Sequence, residues 1–131
     1  MRTLRFLSLL CGILFACMGL AGEIDGMRFI HIGLEEGLSH STIFGINQDK
    51  EGNLWFATYD GFNKYDGYNF TVYRHQYKNP KSIASDITRC VVIDNDNRIW
   101  IGTREGLSLY NHRKNEFSNF FYKRKGQNVT V

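Results

Sequence analysis

The sequence predicts an all-β fold built from two copies of one four-stranded unit. Short segments rich in β-branched and aromatic residues alternate with turn signals, and no segment has the apolar spacing of a long amphipathic helix. The chain also resembles itself at an offset of 45 residues. A fixed period of this length is typical of repeat architectures, so the two units predict two similar sheets.

Aligning the two tryptophans of the chain, Trp55 and Trp100, sets the offset. Identical residues then recur at matching places, in the pairs Asp49 and Asp94, Thr58 and Thr103, Gly61 and Gly106, and Tyr65 and Tyr110. We expect one tryptophan, one glycine and one tyrosine of each unit to form the structural core of the repeat: Trp55, Gly61, Tyr65, Trp100, Gly106 and Tyr110. Both tryptophans should hold neighbouring sheets together.

The first unit contains four predicted strands, over residues 41–47, 54–58, 62–65 and 69–74. The polar turn 49–53 separates the first two strands, and its glycine is suited to a positive φ. An Asp-Gly pair at 66–67 is a hairpin signal before the fourth strand.

The second unit follows the same plan, with strands predicted over 88–93, 98–103, 107–110 and 116–121. Four antiparallel strands in about 45 residues, with a tryptophan and a turn glycine, are typical of a β-propeller blade. We therefore assign residues 41–84 to blade 1 and residues 85–131 to blade 2 of an incomplete propeller. A generic all-β sandwich of roughly eight strands is the alternative.

Residues 22–40 form an entry segment before blade 1, and residues 29–32 in it are a candidate for the strand that closes a propeller. Two blades leave sheet faces and edges open, whereas repeat folds generally need about three units for stability. We therefore expect further blades or another copy of the chain as partners.

The first 21 residues have the anatomy of a secretory signal peptide. Arg2 and Arg5 supply positive charge, an uncharged and mostly apolar run follows over 6–20, and Ala21 precedes the predicted cleavage. The run is shorter than the roughly 20 residues that span a bilayer. A lipoprotein signal with lipidation at Cys17 is the alternative. Both predict export to the periplasm or cell envelope, with membrane contact only through lipidation or through parts downstream of this chain.

The charge balance argues against a nucleic-acid partner. The chain has 16 Lys and Arg against 13 Asp and Glu, and two of the arginines lie in the leader, so the exported part is close to neutral. Cys90 is the one cysteine after the leader, which excludes an intramolecular disulfide and a metal site with two thiolates. Its apolar neighbours predict a small buried hydrophobe.

The acidic turns do not predict a metal site. Asp94, Asp96 and Glu105 have the spacing of calcium ligands, but Arg98 lies at a ligand position and Ile99 lies where glycine is required. The pattern indicates a β-turn, and we predict no metal and no cofactor.

Candidate ligand-binding residues lie at one rim of the predicted blades. In an antiparallel meander the second connection and the crossover to the next unit emerge on the same side, which brings Tyr59, Asp60, Arg104 and the segment 75–85 to one rim. A ring and charged hydrogen-bonding groups suit sugar hydroxyls, so Tyr59, Asp60 and Arg104 are the candidates. The alternative is that they cap turns and face water. No catalytic residue is predicted.

Two sets of motifs resemble a known repeat. They occupy residues 37–40, 48–49, 52–58 and 60–67 in the first unit, and 94–97, 99–103 and 105–107 in the second. They resemble the two-component regulator propeller repeat, as found at the start of the periplasmic sensor of hybrid two-component histidine kinases of Bacteroidetes. Ala57 and Asn97 stand where glycine is usual, and asparagine tolerates positive φ better than most residues.

The resemblance implies an exported sensing or interaction module that detects glycan breakdown products, with an oligosaccharide as ligand, and thereby regulates transcription. Members of the family continue into further blades, a membrane helix and a histidine kinase, and we expect no enzyme activity within these 131 residues. The alternatives are the opening part of a secreted propeller enzyme, such as a lyase or glycan hydrolase, and a truncated reading frame without function.

Overall fold

The computed structural model describes residues 29–121, which form eight β-strands in two sheets. The strands are β1 (Ile43–Gln48), β2 (Leu54–Thr58), β3 (Phe62–Tyr65), β4 (Phe70–Tyr73), β5 (Thr88–Ile93), β6 (Ile99–Thr103), β7 (Leu107–Asn111) and β8 (Glu116–Phe120). Both sheets are antiparallel meanders, in the orders β1-β2-β3-β4 and β5-β6-β7-β8. The all-β prediction is confirmed, and each predicted strand is present within two residues of its predicted bounds.

Residues 32–121 form one compact unit that contains both sheets. In the described part of the chain, residues 29–32 form no strand, and these residues include no further blade that a closing strand could complete, so this role stays a prediction. Phe29 and Ile30 are almost fully exposed, and an apolar segment whose side chains stay in water gains no burial from strand formation. The predicted signal peptide and residues 122–131 lie outside the described residues.

A single carboxylate organises the turn between β1 and β2. One oxygen of Asp49, Oδ1, accepts the backbone N–H groups of Glu51 at 3.0 Å and Asn53 at 2.9 Å. The other, Oδ2, accepts the indole Nε1–H of Trp55 at 2.8 Å. Gly52 completes the turn with a φ of 89°, a left-handed conformation that glycine adopts without a steric penalty. We call this arrangement the Asp–Trp turn.

The second sheet contains the same Asp–Trp turn. Asp94 Oδ1 accepts the backbone N–H groups of Asp96 at 3.0 Å and Arg98 at 2.9 Å, and Oδ2 accepts the Nε1–H of Trp100 at 3.0 Å. Asn97 takes the place of the glycine with a φ of 61°, as expected for a residue that tolerates this region. The predicted β-turn is therefore present.

The hydrophobic core lies between the two sheets. Trp55 is fully buried, its ring stacks on Phe62 in its own sheet, and it meets Tyr110 of the second sheet at a centroid distance of 5.1 Å. Ile83, from the connection between the sheets, is also fully buried. The remaining buried members of this core are Ala57, Val91, Ile99, Ile101 and Phe117.

The two tryptophans have different surroundings. Trp55 holds the two sheets together, as predicted. Trp100 is only partly buried and packs against Phe120 within its own sheet, because it lies on a face that no other sheet covers in the described residues. Cys90 lies on this same face and is exposed, so the prediction that it is buried is wrong.

The other repeat residues have clear structural roles. Gly61 has a φ of 108°, which only glycine adopts readily. At Gly106 a Cβ atom would lie 2.6 Å from the backbone oxygen of Phe120, so a larger residue would force the strands apart. Tyr110 is buried between the sheets, whereas Tyr65 is half-buried and donates its hydroxyl to the backbone oxygen of Gly67.

The Asp–Trp turns make stability depend on pH. Burial raises the pKa of Asp49, but the hydrogen bonds from Trp55 and Asn53 outweigh it, and the pKa lies below its ordinary value of 3.8. The hydrogen bond from Trp100 is the largest cause that lowers the pKa of Asp94. A carboxyl whose pKa is lowered by folding stabilises the fold above its unfolded pKa, and this contribution is lost as the pH falls.

We therefore predict that the free energy of unfolding, measured by urea denaturation, decreases as the pH is lowered below about 4. The decrease should be smaller in Asp94→Asn, which has no proton to gain. Glu35→Gln, a change at an exposed carboxyl, is the control and should keep the wild-type dependence. Equal slopes for wild type and Asp94→Asn would contradict the assignment.

Candidate functional site

The structure brings the three predicted ligand-binding residues to the same end of the two sheets. Tyr59 and Asp60 follow β2, and Arg104 follows β6 at the equivalent place of the second repeat. The connection between the sheets joins both turns, since the backbone oxygen of Asp86 accepts the N–H of Gly61 and the next oxygen, that of residue 87, accepts the N–H of Arg104.

These three side chains do not form one cluster, however. Asp60 forms an ion pair with Arg74 at 3.1 Å, and Arg104 lies 3.9 Å from its neighbour Glu105. All four of these charged groups are substantially exposed to solvent. Exposed ion pairs of this kind contribute little to stability. Of the three predicted residues, Tyr59 is the one that lies in an aromatic environment rather than in an exposed ion pair.

Tyr59 belongs to an exposed group of rings and one guanidinium. Its ring centroid lies 5.4 Å from that of His40 and 6.5 Å from that of Phe44, and the guanidinium carbon of Arg89 lies 4.8 Å from the centroid of Phe44. Tyr59 is 49% exposed and Phe44 is 40% exposed. We call His40, Phe44, Tyr59 and Arg89 the rim cluster.

Two β-bulges create this cluster. The register between β1 and β2 shifts between Ile43 and Gly45, so that Phe44 is the extra residue. The register between β5 and β6 shifts at the equivalent place, between Thr88 and Cys90, so that Arg89 is the extra residue. A bulge bends its strand and re-aims the side chain of the extra residue. Because β1 and β5 are in contact, the two re-aimed side chains meet.

The histidine of the cluster offers a defined hydrogen-bond donor. His40 Nδ1 accepts the backbone N–H of Thr42 at 2.9 Å. A neutral imidazole that accepts at Nδ1 carries its proton on Nε2, so the outer edge of this ring presents an N–H group. The cluster thus combines aromatic faces with N–H donors from His40 and Arg89.

A buried hydroxyl network supports the cluster from below. Thr88 Oγ1 accepts the backbone N–H of Thr58 at 2.7 Å and lies 3.0 Å from the Thr58 oxygen and 3.2 Å from the Gly61 oxygen. Thr58 Oγ1 in turn contacts Ser39 Oγ at 3.0 Å, and Ser39 N–H donates to Asn63 Oδ1. This network joins β2 to β5 at Thr58 and Thr88, the residues that directly precede the cluster members Tyr59 and Arg89.

Sequence reasoning identified Tyr59 but missed the other three members. The alternation of residues in a strand does not predict where a bulge occurs. The sequence therefore predicts a regular strand at Phe44, where the structure has a bulge. The signal that could have found the site is the offset of 45: Phe44 and Arg89 are equivalent positions, and an arginine there is out of place in an apolar strand.

A cleft of about 180 Å³ lies between β4, the connection and β8, lined in part by Tyr73, Arg74, Lys81 and Asn115. Its cations are already paired, Arg74 with Asp60 and Lys81 with Glu116 at 3.0 Å. Its volume is below the roughly 300 Å³ at which small-molecule sites begin. We therefore regard the rim cluster as the better candidate.

Metal and membrane signatures are absent from the described residues. Between residues 29 and 121 no three His, Cys, Asp or Glu side chains come together as a metal site. In the same range there is no helix of the length and apolar character that crossing a membrane requires.

Comparison with known proteins agrees with the repeat. Residues 37–60 and 82–105 match the model of the two component regulator propeller family. Both segments are therefore similar to two-component regulator propeller repeats. Each begins before the first strand of its sheet and includes the buried apolar residue that precedes it, Leu38 in the first repeat and Ile83 in the second. The predicted resemblance is thereby confirmed.

Related proteins are much longer than this chain. Histidine kinase P4 of Formosa agariphila is 36% identical over 74 residues, which are 55% of this chain and 5% of the kinase. The extracellular domain of BT3049 from B. thetaiotaomicron, assigned to a hybrid two component system, matches with a TM-score of 0.65 and 37% identity over 74% of this chain and 14% of that domain.

The extracellular domain of BT4673 from the same organism matches with a TM-score of 0.52 and 18% identity, over 60% of this chain and 11% of that domain. At this identity it supports the fold alone. The chain therefore spans a small part of each of these relatives.

The hydroxyl network yields a prediction for Thr88→Val. The change keeps the side-chain shape but leaves the buried N–H of Thr58 without its acceptor, so we expect a loss of about 1–3 kcal/mol in the free energy of unfolding, measured by chemical denaturation. Thr71→Val, at an exposed position in β4, is the matched control and should have little effect. A Thr88→Val protein as stable as the control would argue against the network.

Proposed function

We propose that this chain is part of the exported ligand-sensing region of a hybrid two-component histidine kinase, and that its rim cluster contributes contacts to a glycan-derived oligosaccharide. The observation that carries the proposal is the pair of equivalent bulges, which bring Arg89 over the ring of Phe44 and place Phe44 beside the exposed ring of Tyr59. Bulges of this kind are over-represented next to functional sites.

The chemistry of the cluster suits a sugar. The C–H faces of a pyranose ring pack on exposed aromatic faces, which Phe44 and Tyr59 provide. Hydroxyl oxygens accept hydrogen bonds, and the donors here are the guanidinium of Arg89 and Nε2–H of His40. A site with a few polar groups placed around apolar surface is the usual composition of a ligand site.

The location and the signalling role rest on two further arguments. The predicted signal peptide would direct the chain out of the cytoplasm, and the BT3049 structure, which is 37% identical, is the extracellular domain of a hybrid two component system. The kinase activity belongs to longer proteins such as Histidine kinase P4, and we assign no catalysis to the residues of this chain.

The enzyme alternative has no supporting observation in the described residues. A glycan hydrolase or lyase uses an acid and a base that converge on the substrate. The two carboxylates at the rim, Asp60 and Glu105, lie instead beside Arg74 and Arg104.

Calorimetric titration with neutral and uronic-acid-containing hexasaccharides tests the proposed site. A hexasaccharide that binds the full chain should lose at least about tenfold in affinity with Tyr59→Ala and with Phe44→Ala, because each change removes a stacking face. Tyr77→Ala, which removes an exposed ring far along the connection, is the matched control and should bind as wild type. Equal affinity for all four proteins, or no binding to any hexasaccharide, would reject the rim cluster as the site.

A further inference from the structure

The rim cluster contains one permanently charged group, the guanidinium of Arg89. Its central carbon lies 4.8 Å from the centroid of the Phe44 ring, within the range of a cation–π contact. The Arg89 side chain is exposed, and it takes part in none of the ion pairs formed among residues 29–121. Within the described residues, an aromatic ring rather than a carboxylate is therefore the contact of this charge.

The backbone on both sides of Arg89 is held in place. Thr88, the preceding residue, is fully buried, and its hydroxyl oxygen accepts a backbone N–H of β2 at 2.7 Å. Cys90, the following residue, lies against β1, since a Cβ atom added to Gly45 would lie 3.6 Å from the Cα of Cys90. Phe44 and Arg89 each directly precede one of these two residues, so the close approach of the strands brings their side chains together.

The contact with Phe44 leaves the guanidinium able to bind an anion. A guanidinium is planar: its face packs on aromatic rings, and its five N–H donors lie along its edge. A carboxylate or sulfate group accepts two of these donors side by side. Ring packing and anion binding thus use different parts of the same group, and a side chain already held on a ring has less freedom to lose when a ligand binds.

Two carboxylates at the same rim face other arginines. Asp60 lies 3.1 Å from Arg74, and Glu105 lies 3.9 Å from Arg104. Arg89 therefore differs from these two arginines of the rim, because its contact is the ring of Phe44.

The repeat gives the rim one aromatic and one cationic side chain at equivalent positions. Phe44 and Arg89 are 45 residues apart, and each is the extra residue of its bulge. Phe44 is also the neighbour that Arg89 and Tyr59 share, with the ring of Tyr59 at a centroid distance of 6.5 Å. An oligosaccharide that packs on the rings of Tyr59 and Phe44 thus lies within reach of the guanidinium.

We propose that the rim cluster selects acidic oligosaccharides, with sugar rings packed on Phe44 and Tyr59 and a carboxylate or sulfate group of the sugar paired with Arg89. The proposal rests on the proposed function, because it names the class of oligosaccharide that the same site binds. Hydrogen bonds between two charged groups are roughly twice as strong as those between neutral groups, so the acidic group decides the preference.

Calorimetric titration of the full chain with matched pairs of ligands tests this selectivity. Hexasaccharides of galacturonic, mannuronic and glucuronic acid are each compared with their carboxyl-reduced forms, which keep the linkages and lose the charge. A sulfated galactan hexasaccharide and its desulfated form distinguish a sulfate from a carboxylate as the bound group.

Three variants separate charge from geometry. Arg89→Gln removes the charge, and Arg89→Lys keeps the charge without the planar set of donors. Arg113→Gln removes an exposed positive charge in the turn between β7 and β8, at the other end of the second sheet, and is the matched control. Far-UV circular dichroism and urea denaturation establish that each variant is folded.

We expect wild type and Arg113→Gln to bind at least one acidic hexasaccharide at least about tenfold more tightly than its neutral form, as a charge-assisted pair predicts. Arg89→Gln should lose this preference and bind the neutral form within about twofold of wild type, since the stacking faces remain. Arg89→Lys should keep part of the preference, and it provides the comparison if Arg89→Gln does not fold.

The contrary outcomes separate this proposal from the proposed function. Equal affinity for acidic and neutral forms, or a preference that Arg89→Gln retains, would overturn the selectivity; if binding then still depends on Tyr59 and Phe44, the proposed function stands. An equal loss for both forms in a folded Arg89→Gln protein would mean that Arg89 supports the site without pairing with the anion, and would also overturn it. No binding of any hexasaccharide would reject both proposals.

Discussion

The hydrogen bond between the indole of Trp55 and the carboxylate of Asp49 is the interaction on which the packing of the two sheets depends. The 2.8 Å bond fixes the orientation of a large, fully buried ring. The same carboxylate fixes the backbone of the turn, so a single group sets both the turn and the ring. The oriented ring then stacks on Phe62 and meets Tyr110 of the other sheet. The Asp–Trp turn, a local structure within the first repeat, thus orients the ring that makes the contact between the sheets.

The second repeat shows that the Asp–Trp turn orients its tryptophan even where no partner sheet covers the ring. Trp100 is held by Asp94 in the same geometry although its ring lies on an open face. Each sheet therefore orients its own tryptophan through the Asp–Trp turn, whether or not a second sheet packs on that ring. The same stacking of units brings the bulges of β1 and β5 together, so that Phe44 meets Arg89. The face-to-face packing of the two sheets therefore produces both the hydrophobic core and the contact between Phe44 and Arg89 in the rim cluster.

The strands were predictable because their signals are local. Turn residues at 49–53 and 66–67 and the recurrence of tryptophan at an offset of 45 gave the strand order and most of the bounds. The rim cluster was predictable only in part, since a bulge depends on pairing between strands rather than on the residues of one strand. The exposure of Cys90 was missed for a related reason: an apolar neighbourhood in sequence predicts burial only when a second sheet covers that face.

Hydrogen exchange of the two indole Nε1–H groups, followed by NMR, tests the role of the Asp–Trp turn most directly. The Trp55 proton is buried and bonded to a carboxylate at the interface between the sheets, so it should exchange only through global unfolding, at the rate of the slowest core amides. The Trp100 proton lies on a face that no other sheet covers in the described residues, so it should exchange faster. Exchange of the Trp55 proton as fast as that of Trp100, in a folded protein, would contradict the account.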